Sequence, residues 1–338
     1  MELRAWINKL VSFTCMFFMF LFVYAGKVKI VNIPNDIKVE ENVFKETFVV
    51  DLSKQEIFRP NGTFICGEFI FYQRKEKPYE TLVMNLNGKV LRPVARFGQG
   101  PFEINSLRSA IAHKKLFVLN DWMAKKIIVF DKNLNPIDEF RVKSMCADFI
   151  INNNDEIILG GKGSGKPYFN VYSISGNHLR DFGESKTTAV EYEKKACFDD
   201  VRSLLFIPEK NSFWACFKNR YDLRYYENEQ LKAEIRAKPG FFKIKETMFS
   251  GRPTTYPADK PIIIRRVGND LFYVYRMENK DCICDILDIN TYALKRRIKL
   301  KNKYTRSFCY YKKGIFYALY ENEKNDSLDL YKIEIPKK

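Results

Sequence analysis

Apolar residues in this chain gather in runs of three to seven, with turn residues between the runs. Almost no stretch shows the three-to-four spacing of an amphipathic helix. The 29 phenylalanines and 19 tyrosines sit mostly inside the short runs, where strands favour them. The pattern predicts an all-β chain of many short strands.

The runs recur in pairs. LFVLND at 116–121 precedes KIIVFDKNLNPIDEF at 126–140, and EFIFYQ at 68–73 precedes TLVMNLNGKVLRPV at 81–94. Similar pairs begin at EIILGG, SFWACF, LFYVYR and IFYALY. With Val83, Val129, Val171, Arg224, Ile286 and Leu330 as equivalent points, the steps are 46, 42, 53, 62 and 44 residues. A four-stranded propeller blade takes roughly 40–50. The spacing predicts a six-bladed β-propeller of four-stranded antiparallel blades over residues 40–336, because one such sheet cannot bury its faces alone. Excursions at 188–210 and 237–262 account for the long steps and are expected as loops or short helical insertions. The sixth unit ends at IEIPKK without an outer strand, while VFKETFVVDL at 43–52 has no partner in unit one. The early segment is expected to complete the last blade and close the ring.

The first 26 residues stand apart. Arg4 and Lys9 precede an almost wholly apolar run over residues 10–25, and Tyr24-Ala25-Gly26 offers small residues for cleavage. This reads as an export signal, with a retained membrane anchor over 10–25 as the alternative. The run is shorter than the roughly 20 residues that span a bilayer. The periplasm, cell surface or exterior is the expected location, with the leader meeting the membrane and residues 27–39 serving as linker.

The net charge of +16 includes +1 from the leader, leaving 16 − 1 = +15. Such a charge favours anionic partners: an acidic protein, an anionic glycan or lipid headgroups. Specific nucleic-acid binding is not expected of an exported chain, and a monomer is expected. Seven cysteines follow the leader, an odd number, and the chain has two histidines, His113 and His178. Cys282 and Cys284 form a lone Cys-x-Cys inside an apolar strand. Separate buried thiols are expected, with no cofactor.

One stretch is distinctive. Phe97-Gly98-Gln99-Gly100-Pro101-Phe102 is followed by Ala110-Ile111-Ala112, by Leu116 to Asp121, and by Ile128-Val129-Phe130-Asp131. Gly98 and Gly100 are expected to take backbone angles closed to other residues, and Pro101 to fix the next one. Asp121 and Asp131 are expected to accept turn amides. Over 95–140 this order of glycine turn, inner strand, strand ending in aspartate and strand ending in Phe-Asp resembles the NHL/TolB-like six-bladed β-propellers of exported bacterial type. The resemblance implies a disk with loops on two faces around a central channel.

Three functions fit such a disk. A binding or scaffold protein of the cell envelope or exterior comes first, with Arg96, Arg108 and Trp122 as candidate ligand residues. A lactonase-like hydrolase or lyase would use a divalent cation in the channel, where Glu68, Asp121, Asp148 and Glu156 are the carboxylates at hand. A structural part of an envelope complex is the third. KRRIKLKNKYTR at 295–306 adds a basic strand. Its Lys295, Arg297, Lys299, Lys301 and Lys303 share one parity, which suits either a solvated edge or a dock for an anionic surface.

Overall fold

The structure is a computed structural model. It describes residues 28–34, 37–41, 45–51, 62–74, 79–161, 167–183, 201–218, 221–237, 241–242, 244–249, 252–257, 260–279, 281–300, 305–312, 315–322 and 327–334. The leader, with its cleavage site or anchor, lies outside them. Among the described residues no helix is long and apolar enough to cross a membrane.

Three strands open the chain: β1 (Lys29–Ile33), β2 (Val39–Glu40) and β3 (Lys45–Asp51). Blade one follows as β4 (Gly62–Cys66), β5 (Phe69–Gln73), β6 (Glu80–Asn85) and β7 (Val90–Arg96). Blade two is β8 (Leu107–His113), β9 (Leu116–Asp121), β10 (Lys126–Phe130) and β11 (Pro136–Arg141). Blade three is β12 (Asp148–Ile151), β13 (Glu156–Gly160), β14 (Phe169–Ser173) and β15 (His178–Phe182). Blade four is β16 (Val201–Ile207), β17 (Ser212–Phe217), β18 (Asp222–Glu227) and β19 (Gln230–Ala237). A hairpin, β20 (Ile244–Phe249) and β21 (Arg252–Pro257), precedes blade five, which is β22 (Lys260–Val267), β23 (Asp270–Arg276), β24 (Cys282–Asp288) and β25 (Leu294–Lys299). Blade six is β26 (Thr305–Lys312), β27 (Ile315–Asn322) and β28 (Ser327–Glu334).

The fold is a six-bladed β-propeller. Blade six takes its outer strand from the start of the chain, because β3 pairs antiparallel with β28 from Asp329↔Asp51 to Glu334↔Lys45. The innermost strands pack each on the next, and β26 packs on β4. The ring is thus closed by hydrogen bonds within one blade rather than by packing alone.

Each blade buries both faces, which explains the near-continuous apolar runs. Six apolar clusters fill the six interfaces, and a strand's alternate residues serve opposite ones. In β10, Ile128 and Phe130 join the cluster toward blade one, while Ile127 and Val129 join the one toward blade three. In β17, Phe213, Ala215 and Phe217 face blade three, while Trp214 and Cys216 face blade five. Cys282 and Cys284 share the cluster between blades five and six. Cys66, Cys146, Cys216, Cys282 and Cys284 are buried, and burial pushes the Cys146 and Cys216 thiols up to about 12.

Four expectations need correction. The blades are not uniformly four-stranded and antiparallel: β1 adds in parallel to β19, and β2 in parallel to β25, giving blades four and five a fifth strand. The segment read as a linker over 27–39 is therefore a strap along outer edges. Its pairing uses backbone groups, so it needs no apolar alternation. The excursion at 237–262 contains the hairpin β20–β21 rather than loops or helix. The excursion at 188–210 is too long as read, since 201–207 is the inner strand of blade four and 208–210 a single 3-10 turn; residues 188–200 lie outside those described.

Gly98 has φ +157°, and a Cβ there would collide with the Glu103 carboxylate. Gly100 is held by space rather than angle: it takes no left-handed φ, and its amide donates to Glu103 Oε2 at 2.9 Å. Phe102 takes the left-handed angle instead, at φ 56°. The turn is pinned to blade two, because Lys126 Nζ donates to Gly100 O at 2.8 Å and pairs with Glu139 at 3.0 Å. Asp131 accepts the amides of Asn133 and Asn135.

Candidate functional site: the mouth of the central channel

The two faces of the disk differ in their connections. On one face every link between strands runs two to five residues, as at 67–68, 114–115, 131–135 and 289–293. The strand ends joined by the longer links, over 52–61, 74–79, 97–106, 142–147, 161–168, 183–200 and 238–259, all lie at the other face. Long connections on one face of a rigid scaffold are where binding residues concentrate.

At that same face the inner strands begin, and four begin with a bulge. In β8, Leu107 pairs with Asp121 and Ser109 with Asn120, leaving Arg108 as the extra residue. In β16, Val201 pairs with Phe217 and Ser203 with Cys216, leaving Arg202. The extra residue is Ile262 in β22 and Arg306 in β26. A bulge breaks the pleat and re-aims one side chain. In β8 and β16 it releases an arginine from the ladder at the channel mouth.

Arg108 and Arg202 are half-buried. The Arg108 guanidinium carbon lies 5.7 Å from the Trp122 ring centroid, a cation–π contact. Arg202 Nε donates to Pro261 O at 3.2 Å. Burial pulls Arg202 down to about 10, and the positive charge of Arg108 adds to the pull. Burial also lowers Arg108, with Asp148 opposing. Both guanidinium groups remain charged at neutral pH. Arg265 and Arg276 stand nearby on β22 and β23, coupled in turn to Asp148 and Arg202.

Asp148 is the carboxylate at the mouth, and its oxygens already accept the amides of Phe149 at 3.0 Å and Leu204 at 2.9 Å. Burial raises its pKa against the pull of Arg265. Among the described residues no carboxylate lies within ion-pair distance of Arg108, Arg202, Arg265 or Arg276, whereas Arg180 on the opposite face binds Glu156 at 2.8 Å and Glu229 at 2.6 Å. That opposite face carries a cleft of about 330 Å³ between blades three and four, in which Arg180 is spent on those two carboxylates. The charge of Asp148 supports Arg108 and Arg202 alike, but one carboxylate faces four guanidinium groups, so the mouth stays electropositive.

Two of the three candidate ligand residues, Arg108 and Trp122, thus come together. Arg96 does not join them: it is exposed at the end of β7, an outer strand. The other carboxylates do not converge on the channel. Glu68 lies in a tight turn on the opposite face, and Glu156 is held there by Arg180 and Asn152. Asp121 is buried and accepts the amides of Asn105, Ser106 and Ala124. Among the described residues no three His, Cys, Asp or Glu side chains gather to hold a metal ion.

The basic strand does not form one positive face. Lys295 is the extra residue of a bulge, since Ile286 pairs with Arg296 and Leu287 with Leu294, so the parity shifts there. Arg297 is 3% exposed and binds Asp285 through Nε and Nη2, both at 2.8 Å. Lys295 pairs with Asp270 and Asp288, and Lys299 with Asp281. Strand β2 also covers this edge. Lys301 and Lys303 lie outside the described residues.

Reading by blade missed Arg202 and Arg306. The signal was present: Leu107-Arg108-Ser109, Val201-Arg202-Ser203 and Thr305-Arg306-Ser307 repeat one hydrophobic-or-threonine, Arg, Ser triplet. Its steps of 94 and 104 residues span two blades rather than one, so a search at single-blade period passes over it.

No family model and no curated protein matches the sequence. Solved structures do match. A protein of Bacteroides fragilis assigned as exported aligns with 92% of this chain and 100% of its own, at TM-score 0.59 and 10% identity. A member of the DUF4221 family from Bacteroides vulgatus aligns with 90% of this chain and 99% of its own, at TM-score 0.58 and 9% identity. Virginiamycin B lyase from Staphylococcus aureus aligns with 87% of this chain and 100% of its own, at TM-score 0.53 and 13% identity. At such identities the likeness is one of fold, and the chain is a six-bladed β-propeller.

Proposed function

We propose that this chain is an exported binding module that takes its partner on the loop-rich face, over the mouth of the central channel. One observation carries the reading: Arg108 and Arg202, with no carboxylate within ion-pair distance among the described residues, are re-aimed by bulges on the face where the strand ends of the long connections lie. An acidic partner, whether protein, glycan or lipid surface, suits that charge and the +15 of the chain without its leader. The apolar leader and the exported assignment of the Bacteroides fragilis structure support export, to the periplasm, surface or exterior. The glycine turn and the Phe130-Asp131 strand end support a place among NHL/TolB-like propellers. The lyase or lactonase alternative finds no support at this mouth, where guanidinium charge would repel a divalent cation.

Hydrogen–deuterium exchange in the presence of acidic surface polysaccharide from the native host tests the face. Protection is expected over 97–106, 122–125 and 142–147. Protection confined to 114–115, 131–135 and 174–177 would contradict the proposal.

A further inference from the structure

The arginine triplets fall in blades two, four and six, every second blade of a six-blade ring. Each arginine is the extra residue at the same register of its inner strand. Equal register in alternate blades places the three positions about one third of a turn apart, at one height around the channel axis. The intervening blades differ. Blade three pairs without a bulge from Asp148 and blade five bulges at Ile262, while the stretch of blade one before Gly62 lies outside the described residues. The cationic positions therefore have a pseudo-threefold arrangement that the fold alone, with six repeats, does not impose.

Arg108 and Arg202 belong to blades two apart, yet the charge of Arg108 depresses Arg202. Bulges at one register re-aim both side chains at the same end of the channel, and that coupling agrees with the placement. Asp148 is a carboxylate whose charge reaches both Arg108 and Arg202, but its oxygens already accept two amides and the half-buried guanidinium groups outnumber it, so an added anion would relieve the excess positive charge. A planar carboxylate offers two oxygens and matches one guanidinium fork. A tetrahedral oxyanion offers further oxygens and can meet two guanidinium forks at once. Trp122, packed on Arg108, restricts that side chain's freedom before any ligand arrives.

Resting on the reading of this face as the ligand side, we infer that the channel mouth binds a phosphate or sulfate group on the axis, gripped by Arg108 and Arg202. The rest of an ester would extend outward from that face. A free oxyanion and an esterified one share this chemistry, and the test separates them.

Calorimetric titration at low salt with inorganic phosphate, inorganic sulfate, glucose 6-phosphate and acetate tests the inference. Phosphate, sulfate or the sugar phosphate should bind, and acetate about tenfold more weakly or not at all. Preference for glucose 6-phosphate over inorganic phosphate identifies an esterified ligand; the reverse identifies a free ion. R108A and R202A should each lower affinity about tenfold or more, as expected for lost charge-assisted bonds. R202K, which keeps charge and loses the fork, should weaken binding and guards against misreading a folding defect. No heat with any oxyanion, equal binding of acetate, or undiminished affinity in a folded R108A/R202A variant would overturn it. Loop-face protection by polysaccharide that survives in R108A/R202A sinks the oxyanion while sparing the face; its absence from the wild-type protein sinks the face itself.

Discussion

Replacing Asp285 by alanine should lower the unfolding free energy by about 3–5 kcal/mol, the cost of leaving a buried charge unpaired. The carboxylate is fully buried between blades four and five. It receives Arg297 Nε and Nη2 at 2.8 Å, and the Tyr221 hydroxyl donates to it at 2.8 Å. Arg297 has the Phe241 ring on its other side, 4.9 Å from the guanidinium carbon. Without Asp285 the guanidinium has neither water nor anion around it. Urea denaturation followed by far-ultraviolet circular dichroism measures the loss. Replacing both members, as in D285L/R297M, should recover most of it, because the desolvation cost goes with the charges. A loss below about 1 kcal/mol in D285A would mean that water reaches Arg297.

Starting the chain at Leu52 should be more damaging still. It removes β3 and with it the only partner of the outer side of β28 among the described residues. Val49, which packs on the cluster between blades six and one, goes too. A three-stranded last blade leaves a long edge open, and open edges aggregate. The expected loss is comparable with the whole stability of a domain, about 5–15 kcal/mol. Size-exclusion chromatography should show aggregate, and thermal scanning no cooperative transition. Starting at Glu41 instead removes β1 and β2 but keeps β3, and should leave a folded, less stable ring. An unchanged cooperative transition in the shorter chain would show that ring closure contributes little.

Much of this architecture is legible in the sequence. Strands buried on both faces, as β10 and β17 are, write themselves as unbroken apolar runs, and tight turns punctuate them at nearly even steps. The orphan strand at 45–51 was visible because the last unit lacked one. The straps β1 and β2 were not visible, because edge pairing through backbone groups imposes no side-chain period. The bulge at Lys295 defeated a parity argument that assumed an unbroken pleat. At the mouth, Arg108 and Trp122 stood out beside the glycine turn, whereas Arg202 lay in an ordinary strand start. Its meaning comes from the bulge that it shares with Arg108 two blades away.

A partner seated over the channel mouth on the loop-rich face would lie against Trp122 and away from Lys115, and that seating is open to a direct test. A photo-reactive benzoylphenylalanine at Trp122 and, separately, at Lys115 in the tight turn between β8 and β9 tests it in cells of the native host. Irradiation should yield one dominant covalent adduct from position 122 and none from position 115. An adduct from position 115 with none from 122 would put the partner on the opposite face and contradict the account.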